Sequence, residues 1–384
     1  MYISRLRLLN FRIYREAAVE LPAGVTLVLG QNGQGKTSLL ESMATLALTR
    51  SPRAASLGEC ATWGESRLGV AAQLEDRRGE AELELLGQRD AGSGRWARRL
   101  RQNHSPTSAR ELLGRLRVVV FWPDDLQLVK GGPEPRRRLL DVVLSQLSPG
   151  YAEQLLRYRR AVEHRTALLR RLREGGAAAE ELGAWSDALV EHGAAVIAQR
   201  SWYLAAAAPM AAAALAGVGE EMELALRYRP ALGSGSRDWT GADAAGLLRR
   251  ALAEQASEER VRGQCLCGPH RDDFEILLTG RSARQFASQG QQRSIALALK
   301  VAEVRQHLLI AGETPLLLLD DVLSELDRGR RQGLLSLLGQ ELAVEQTVIT
   351  ATEDPGLGAE VPTALVLQAE AGLLSPQPGA TISN

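Results

Sequence analysis

The segment Gly30-Gln31-Asn32-Gly33-Gln34-Gly35-Lys36-Thr37 constrains this chain more than any other. It fits the spacing G-x-x-x-x-G-K-[ST], and each residue type has a chemical reason. Glycines let backbone N–H groups wrap phosphate, the lysine reaches the terminal phosphates, and the threonine hydroxyl can ligate Mg²⁺. The helix that follows presents its positive end. The flanks agree: residues 25–29 are a short apolar run suited to a buried strand, and residues 36–48 carry a helical pattern. Chance is a poor explanation. Only Lys36, Lys130 and Lys300 of the 46 basic residues are lysines, and this composition gives roughly 0.003 matches per chain. The expectation is an α/β core that binds a nucleotide through Gly30 to Thr37.

Two further motifs complete an ATPase. Residues 316–319 are four leucines followed by Asp320 and Asp321. At such a strand end the first carboxylate holds Mg²⁺ and the second positions the attacking water. Thr37 and Asp320 are therefore the expected metal ligands and Asp321 the expected catalytic carboxylate. Upstream, Ser288-Gln289-Gly290-Gln291-Gln292-Arg293 opens an apolar-periodic helix. A serine hydroxyl, a glycine N–H and a helix N-terminus can clamp a γ-phosphate, although in isolation the same residues make a plain helix cap. Placed just before the acidic strand, they resemble the signature motif of ABC-type ATPases. Ser324-Glu325-Leu326-Asp327 likewise resembles their D-loop. The resemblance implies that Ser288, Gly290 and Gln291 act in trans, on the nucleotide of a second copy.

Around these motifs the pattern gives two strands and a turn in the first 30 residues. Strands and hairpins follow over 68–100, with turn signals at 77–79 and 90–94, and a buried strand over 116–121. Residues 135–262 read as helical, broken by a loop at 231–239. Strand and helix alternation then returns, with another strand at 346–350. The expected fold is α/β: an ABC-type P-loop ATPase head with a mixed sheet and an antiparallel β lobe, interrupted by a mostly helical insertion as a second lobe. The expected divisions are 1–130, 131–262 for the insertion, 263–370, and a loose tail over 371–384.

Composition sets bounds. At 384 residues, with 45% hydrophobic and 24% charged side chains, the chain can bury a sizeable core. Three cysteines and no apolar leader point to a reducing cytoplasmic interior. The most apolar stretch, 203–218, is mostly alanine and is interrupted by Pro209, which argues against a membrane span. Cys265 and Cys267 with His270 lack both the spacing and the fourth ligand of a structural zinc site. His270-Arg271-Asp272 echoes a kinase catalytic loop, but Leu277 occupies the place of the required asparagine.

A specific resemblance spans nearly the whole chain. It is carried by Leu9-Asn10-Phe11-Arg12 with Tyr14, by the phosphate loop with Leu39-Leu40-Glu41, and by Phe121-Trp122-Pro123-Asp124-Asp125-Leu126. Val129-Lys130-Gly131, Pro133, Arg136-Arg137-Arg138-Leu139-Leu140-Asp141 and Leu144-Ser145-Gln146 continue it. Gly268-Pro269-His270-Arg271-Asp272-Asp273, Gly290-Gln291-Gln292-Arg293, Leu319-Asp320-Asp321 and Ile349-Thr350-Ala351-Thr352 complete it. In order and spacing these resemble the RecF family of bacterial replication and repair ATPases. The resemblance implies ATP and Mg²⁺ as cofactors, slow DNA-stimulated hydrolysis and an ATP-dependent homodimer on double-stranded DNA. It also implies a preference for single/double-strand junctions, the partners RecR and RecO, loading of the recombinase RecA, and a nucleoid-associated bacterial location. Arg12 is similar to an arginine near the nucleotide in related heads. Two departures from general ABC-type heads stand out: Trp122-Pro123-Asp124 replaces the Q-loop glutamine, and Thr350 or Thr352 replaces the switch histidine.

With a DNA partner implied, the net charge of zero needs local reading. Residues 135–173 hold ten arginines against Asp141, Glu153 and Glu163, an excess of +7, and residues 89–117 hold eight against Asp90 and Glu111, +6. Arg136, Arg137, Arg138, Arg98 and Arg99 are the expected phosphate contacts, salt-sensitive and indifferent to sequence. The rival readings fit less well. A transporter subunit would not place a basic helical insertion within the 252 residues between Lys36 and Ser288. A chromosome-maintenance ATPase needs a long coiled coil, but this insertion could reach only about 90 Å as a hairpin and lacks heptads. An overcoming-lysogeny-type nuclease needs a further domain, and only 57 residues follow Asp327.

Overall fold

The computed structural model describes residues 1–176, 179–231, 239–359 and 361–377. Most of the loop expected over 231–239 and the end of the expected tail lie outside the described residues. The chain forms two compact units. Unit 1 is Met1–Asp125, Ala213–Glu221 and Leu297–Asn384; unit 2 is Leu126–Ala212 and Met222–Ala296. This division differs from the one expected, because residues 263–296, with the signature segment, belong with the helical insertion.

Unit 1 opens with β1 (Tyr2–Phe11), β2 (Tyr14–Glu20), β3 (Gly24–Leu29) and α1 (Lys36–Leu48). The first 30 residues thus hold three strands rather than two. Ala17, Ala18 and Glu20 hide β2 from a propensity reading, and the β1–β2 turn has no glycine: Arg12 itself takes a left-handed φ of 53°. Then come β4 (Arg67–Asp76), β5 (Gly79–Arg89), β6 (Trp96–Gln102), β7 (Ser105–Thr107), the short helix α2 (Ala109–Leu112) and β8 (Val118–Phe121). Strands β2-β1-β4-β5-β6-β7, in that order, make the antiparallel sheet.

Unit 2 holds α3 (Gln127–Lys130), α4 (Pro133–Leu147), α5 (Pro149–Arg173) and most of α6 (Ala179–Gly217). Pro209 lies inside α6 without ending it. Strand β9 (Leu224–Arg229) interrupts the expected helical run. Leu224, Leu226 and Tyr228 are buried while β9 pairs along its whole length with β10 (Asp273–Leu278), so tertiary pairing overrides helix-forming residues. Helix α7 (Gly241–Arg262) lies between them. It starts with Thr240 Oγ1 accepting Asp243 N–H at 3.2 Å and stops at left-handed Gly263. The short β11 (Arg281–Ser282) and α8 (Ala283–Phe286) lead into α9 (Gln289–Ala311), one helix that begins in unit 2 and ends in unit 1.

Unit 1 is completed by β12 (Leu316–Asp320), α10 (Arg328–Ser336), β13 (Gln346–Ala351), β14 (Thr363–Glu370) and β15 (Leu373–Pro376). Its second sheet has the order β15-β14-β3-β13-β12-β8, all parallel except β15. Such a sheet is covered on both faces, which is why β12 can be four leucines with no exposure. Helix α1 packs against β8, β12 and β13. Strand β15 also corrects the loose tail expected from residue 371 onward: Leu373 to Pro376 pair antiparallel with Glu370 to Leu367. Among the described residues no helix is long and apolar enough to cross a membrane.

Candidate functional site: a nucleotide cradle at the strand ends

At the end of β3 the backbone turns through Gly30, Gly33 and Gly35, with φ of 154°, 81° and 107°. A Cβ on Gly30 would stand 2.4 Å from the Ala369 carbonyl oxygen. One on Gly35 would stand 2.8 Å from Tyr14 Oη and 2.9 Å from Ile13 Cγ2. The loop is therefore gripped from two sides. Tyr14 Oη donates to Gly35 O at 3.0 Å, and Ala371 N–H, in the β14–β15 turn, donates to Gln34 Oε1 at 2.6 Å.

Lys36 is 6% exposed, and its ammonium curls onto its own loop, donating to Gly30 O at 2.5 Å and Gln31 O at 3.1 Å. Burial pushes its pKa down, partly countered by Asp321 and Asp320. Thr37 Oγ1 lies 3.0 and 2.9 Å from the two Asp320 carboxylate oxygens, joining residues 283 apart in sequence. Burial raises the Asp320 pKa, while hydrogen bonds from Thr350 (2.9 Å) and Thr37 oppose the rise. Thr350 also holds the next residue: Asp321 N–H donates to its Oγ1 at 3.0 Å, with Asp321 left-handed at φ 53°. Asp321 Oδ1 is buried and has no hydrogen-bond partner. A hydroxyl clasping a paired carboxylate, an orphan carboxylate oxygen beside it and a lysine with a phosphate-sized glycine cradle fit Mg²⁺ and a nucleotide triphosphate.

Ser288, Gly290 and Gln291 lie in unit 2 at the head of α9. Exposed Ser288 caps that helix: its Oγ accepts Gln291 N–H at 3.2 Å, and its N–H donates to Gln291 Oε1 at 2.9 Å. Gln291 Nε2 also reaches Met222 Sδ at 3.1 Å.

Several of the arginines singled out in the sequence have partners within the chain. Arg12 holds buried Glu41 through two hydrogen bonds of 2.9 and 2.8 Å and donates to Glu59 O at 2.6 Å. Its guanidinium thus fastens the β1–β2 turn to α1. Arg136, expected on DNA, is 4% exposed, bidentate on Asp273 at 2.7 and 2.8 Å, and bonded to Leu128 O. A buried and fully paired guanidinium cannot meet a phosphate, so Arg136 is an internal strut. Arg137, half-buried, donates to Asp272 O at 2.8 Å. Arg98 donates to Thr49 O and Thr49 Oγ1 and is exposed, as are Arg99 and Arg138. Charge counting along a sequence cannot separate such struts from surface. In the motif at 268–273, Gly268, Pro269 and Asp272 are likewise buried and Arg271 is exposed; Arg200 donates to Pro269 O and Asp141 Oδ1, both at 2.7 Å.

One residue that sequence reasoning missed borders the cradle. Arg53 stacks over Trp122 with Cζ 5.4 Å from the ring, and its charge favours ionised Asp320. One arginine among 43 carries no signal of its own in the sequence. Glu41, which carries part of the family resemblance, is the buried partner of Arg12.

Comparison with known proteins agrees with this geometry. A family model described as an AAA domain matches residues 5–115. A DNA replication and repair protein RecF of Heliobacterium modesticaldum is 43% identical over 92% of this chain and 92% of its own length. One of Chloroflexus aurantiacus is 41% identical over 92% and 94%. The solved RecF-ATP structure, described as a recombination mediator protein in the RecFOR pathway, superposes with a TM-score of 0.88 at 29% identity, covering 98% of this chain and 97% of that one. An Smc head bound to ScpA, 15% identical with a TM-score of 0.56 over 98% and 97%, shares the fold alone. The fold is that of an ABC-type ATPase head.

Proposed function

Because this chain belongs to the RecF family of DNA replication and repair proteins, we propose that it is an ATP-driven clamp on DNA in recombinational repair. It binds double-stranded DNA and single/double-strand junctions, dimerises head to tail on ATP, and works with RecR and RecO to load RecA. The observation that carries this reading is the Thr37–Asp320 contact beside the unpartnered Asp321 oxygen.

In this reading the loop amides and Lys36 hold the phosphates, and Thr37 and Asp320 would hold Mg²⁺, which would supply neutralisation of charge on the phosphate oxygens. Lys36 exchanges its loop carbonyls for phosphate oxygens, a charge-assisted replacement. Asp321, fixed through Thr350, accepts from and orients the attacking water. An aspartate is shorter than the glutamate usual in two-headed ATPases, which accords with slow hydrolysis. Ser288 and Gly290 of the second copy close the site. The exposed arginines Arg99 and Arg138, rather than Arg136, bear on DNA phosphates. In this reading the protein works in the bacterial cytoplasm, at the nucleoid.

Sedimentation of wild type and Lys36→Ala, with and without ATP and duplex DNA at two salt concentrations, tests this. The wild type should dimerise with ATP, Lys36→Ala should not, and duplex binding should weaken as salt rises. A wild type that stays monomeric in ATP would sink the clamp.

A further inference from the structure

The loop that joins α7 to β10 carries Gly268-Pro269-His270-Arg271-Asp272, with Asp273 opening the strand. The nucleotide site does not use it. The loop and every residue that holds it lie within unit 2. From α6 comes Arg200, 2% exposed, whose Nη1 donates to Pro269 O at 2.7 Å. From α5 comes buried Tyr158, whose hydroxyl is hydrogen-bonded to His270 Nδ1. Gly268 permits that approach: at φ 122°, a Cβ there would stand 2.4 Å from Tyr158 Oη. From β9 comes Tyr228, which donates to Asp272 Oδ2 at 2.8 Å, and Ala231 N–H donates to Oδ1 at 2.8 Å. From α4, Arg137 donates to Asp272 O at 2.8 Å, and Arg136 holds Asp273 at 2.7 and 2.8 Å.

Arg271 is the one exposed residue of the six. Its guanidinium reaches Cys265 O at 3.5 Å and pairs with no carboxylate among the described residues, because both neighbouring aspartates are committed elsewhere. Burial above all, with the charges of Arg271 and Arg137 adding, lowers the His270 pKa to about 4. His270 is therefore a neutral strut between Tyr158 and Cys265 O, which lies 3.3 Å from its Nε2.

Buried paired charges add little net stability, but here they leave the loop one conformation. A guanidinium presented from a fixed loop binds with little ordering cost, and its planar fork matches phosphate oxygens. The surroundings favour a polyanion over a single acidic side chain. Arg137 touches the same loop, and Arg138 beside it is exposed.

We propose that Arg271 is a preorganised contact for a DNA backbone phosphate, and that Tyr158 is a positioning residue that fixes it through His270. This deepens the DNA-binding role given under Proposed function and rests on it.

The test is titration of duplex DNA with the full chain at several salt concentrations, alongside thermal melts and sedimentation with ATP. Arg271→Gln should reduce the slope of log K against log salt by about 0.9 and weaken binding about eightfold at 0.1 M salt, with the melt unchanged. Arg271→Lys should keep the slope and recover most of the affinity. Tyr158→Phe should keep the slope yet weaken binding about threefold, since the charge remains and its fixed place is lost. Tyr228→Phe, which loosens the loop at Asp272 instead, should do the same, and melts confirm that each variant is folded. An unchanged slope in Arg271→Gln would overturn the phosphate contact. Wild-type affinity in both tyrosine variants would overturn the positioning role. Loss of ATP-driven dimerisation in Arg271→Gln with the slope intact would assign the guanidinium to a second copy of the chain and overturn the proposal. A wild type without salt-sensitive duplex binding overturns the DNA reading itself; a wild type that binds as Arg271→Gln does overturns this proposal alone.

Discussion

A methyl group at Gly30 would collide with the Ala369 carbonyl oxygen, at a φ that side chains rarely adopt. Gly30→Ala should therefore weaken ATP binding by more than about tenfold, measured calorimetrically, because the loop must leave β14 to accept it. His307 makes a second prediction. It has no exposure, neither ring nitrogen has a hydrogen-bond partner, and burial lowers its pKa to about 3. The unfolded chain takes up that proton first, near the usual pKa of about 6.5. Stability is thus full above that pH and falls as pH drops toward 3, by at most about 1.4 kcal/mol per pH unit. His307→Leu should flatten the urea-unfolding free energy between pH 5 and 6.5 by nearly that slope. His270, lowered to about 4 by burial, leaves a similar dependence in the variant. At this scale the sequence was legible where chemistry demands one residue type, as at Lys36 and Asp320. It was not legible where burial decides the role, as at Arg136, because a guanidinium reads the same whether it faces Asp273 or solvent.

Elements were legible when their period was unambiguous. The helix over 36–48 matches α1, and the leucine run became β12 with Asp320 at its end. Strands β2, β9 and β14 escaped because alanine, leucine and glutamate favour no strand by themselves; partners distant in the chain impose one. Strand β15 matters most for function, since its turn donates Ala371 N–H to Gln34 in the phosphate loop. A chain ending at Glu370 should bind ATP roughly fivefold more weakly, the worth of one hydrogen bond of about 1 kcal/mol. Filter binding with labelled ATP would measure it, and a tail without structural work would leave the affinity unchanged.

For the molecule as a whole, equal numbers of acidic and basic side chains conceal an uneven distribution, and part of each local arginine excess is internal. Arg115 pairs with Asp76, Arg117 with Glu313 and Arg165 with Glu259, all buried. Under the proposed DNA role, Arg99→Gln should reduce the slope of log K against log salt by about 0.9, one phosphate contact, without altering stability. Arg136→Gln should instead leave the slope intact and destabilise by about 3 kcal/mol, because Asp273 loses its partner. Titrations on duplex DNA at several salt concentrations, paired with urea melts, separate the two. The strand order also has a consequence in time. β3, which leads into the phosphate loop, lies between β13 and β14, and those are made some 300 residues later. At about 5–20 residues per second, a growing chain waits roughly 15–60 s before the strand beneath the loop gains either neighbour. A nascent chain that has not yet made β13 and β14 therefore lacks a built ATP site, and one terminated before them never gains it. Nucleotide binding in this architecture certifies that synthesis has run nearly to its end.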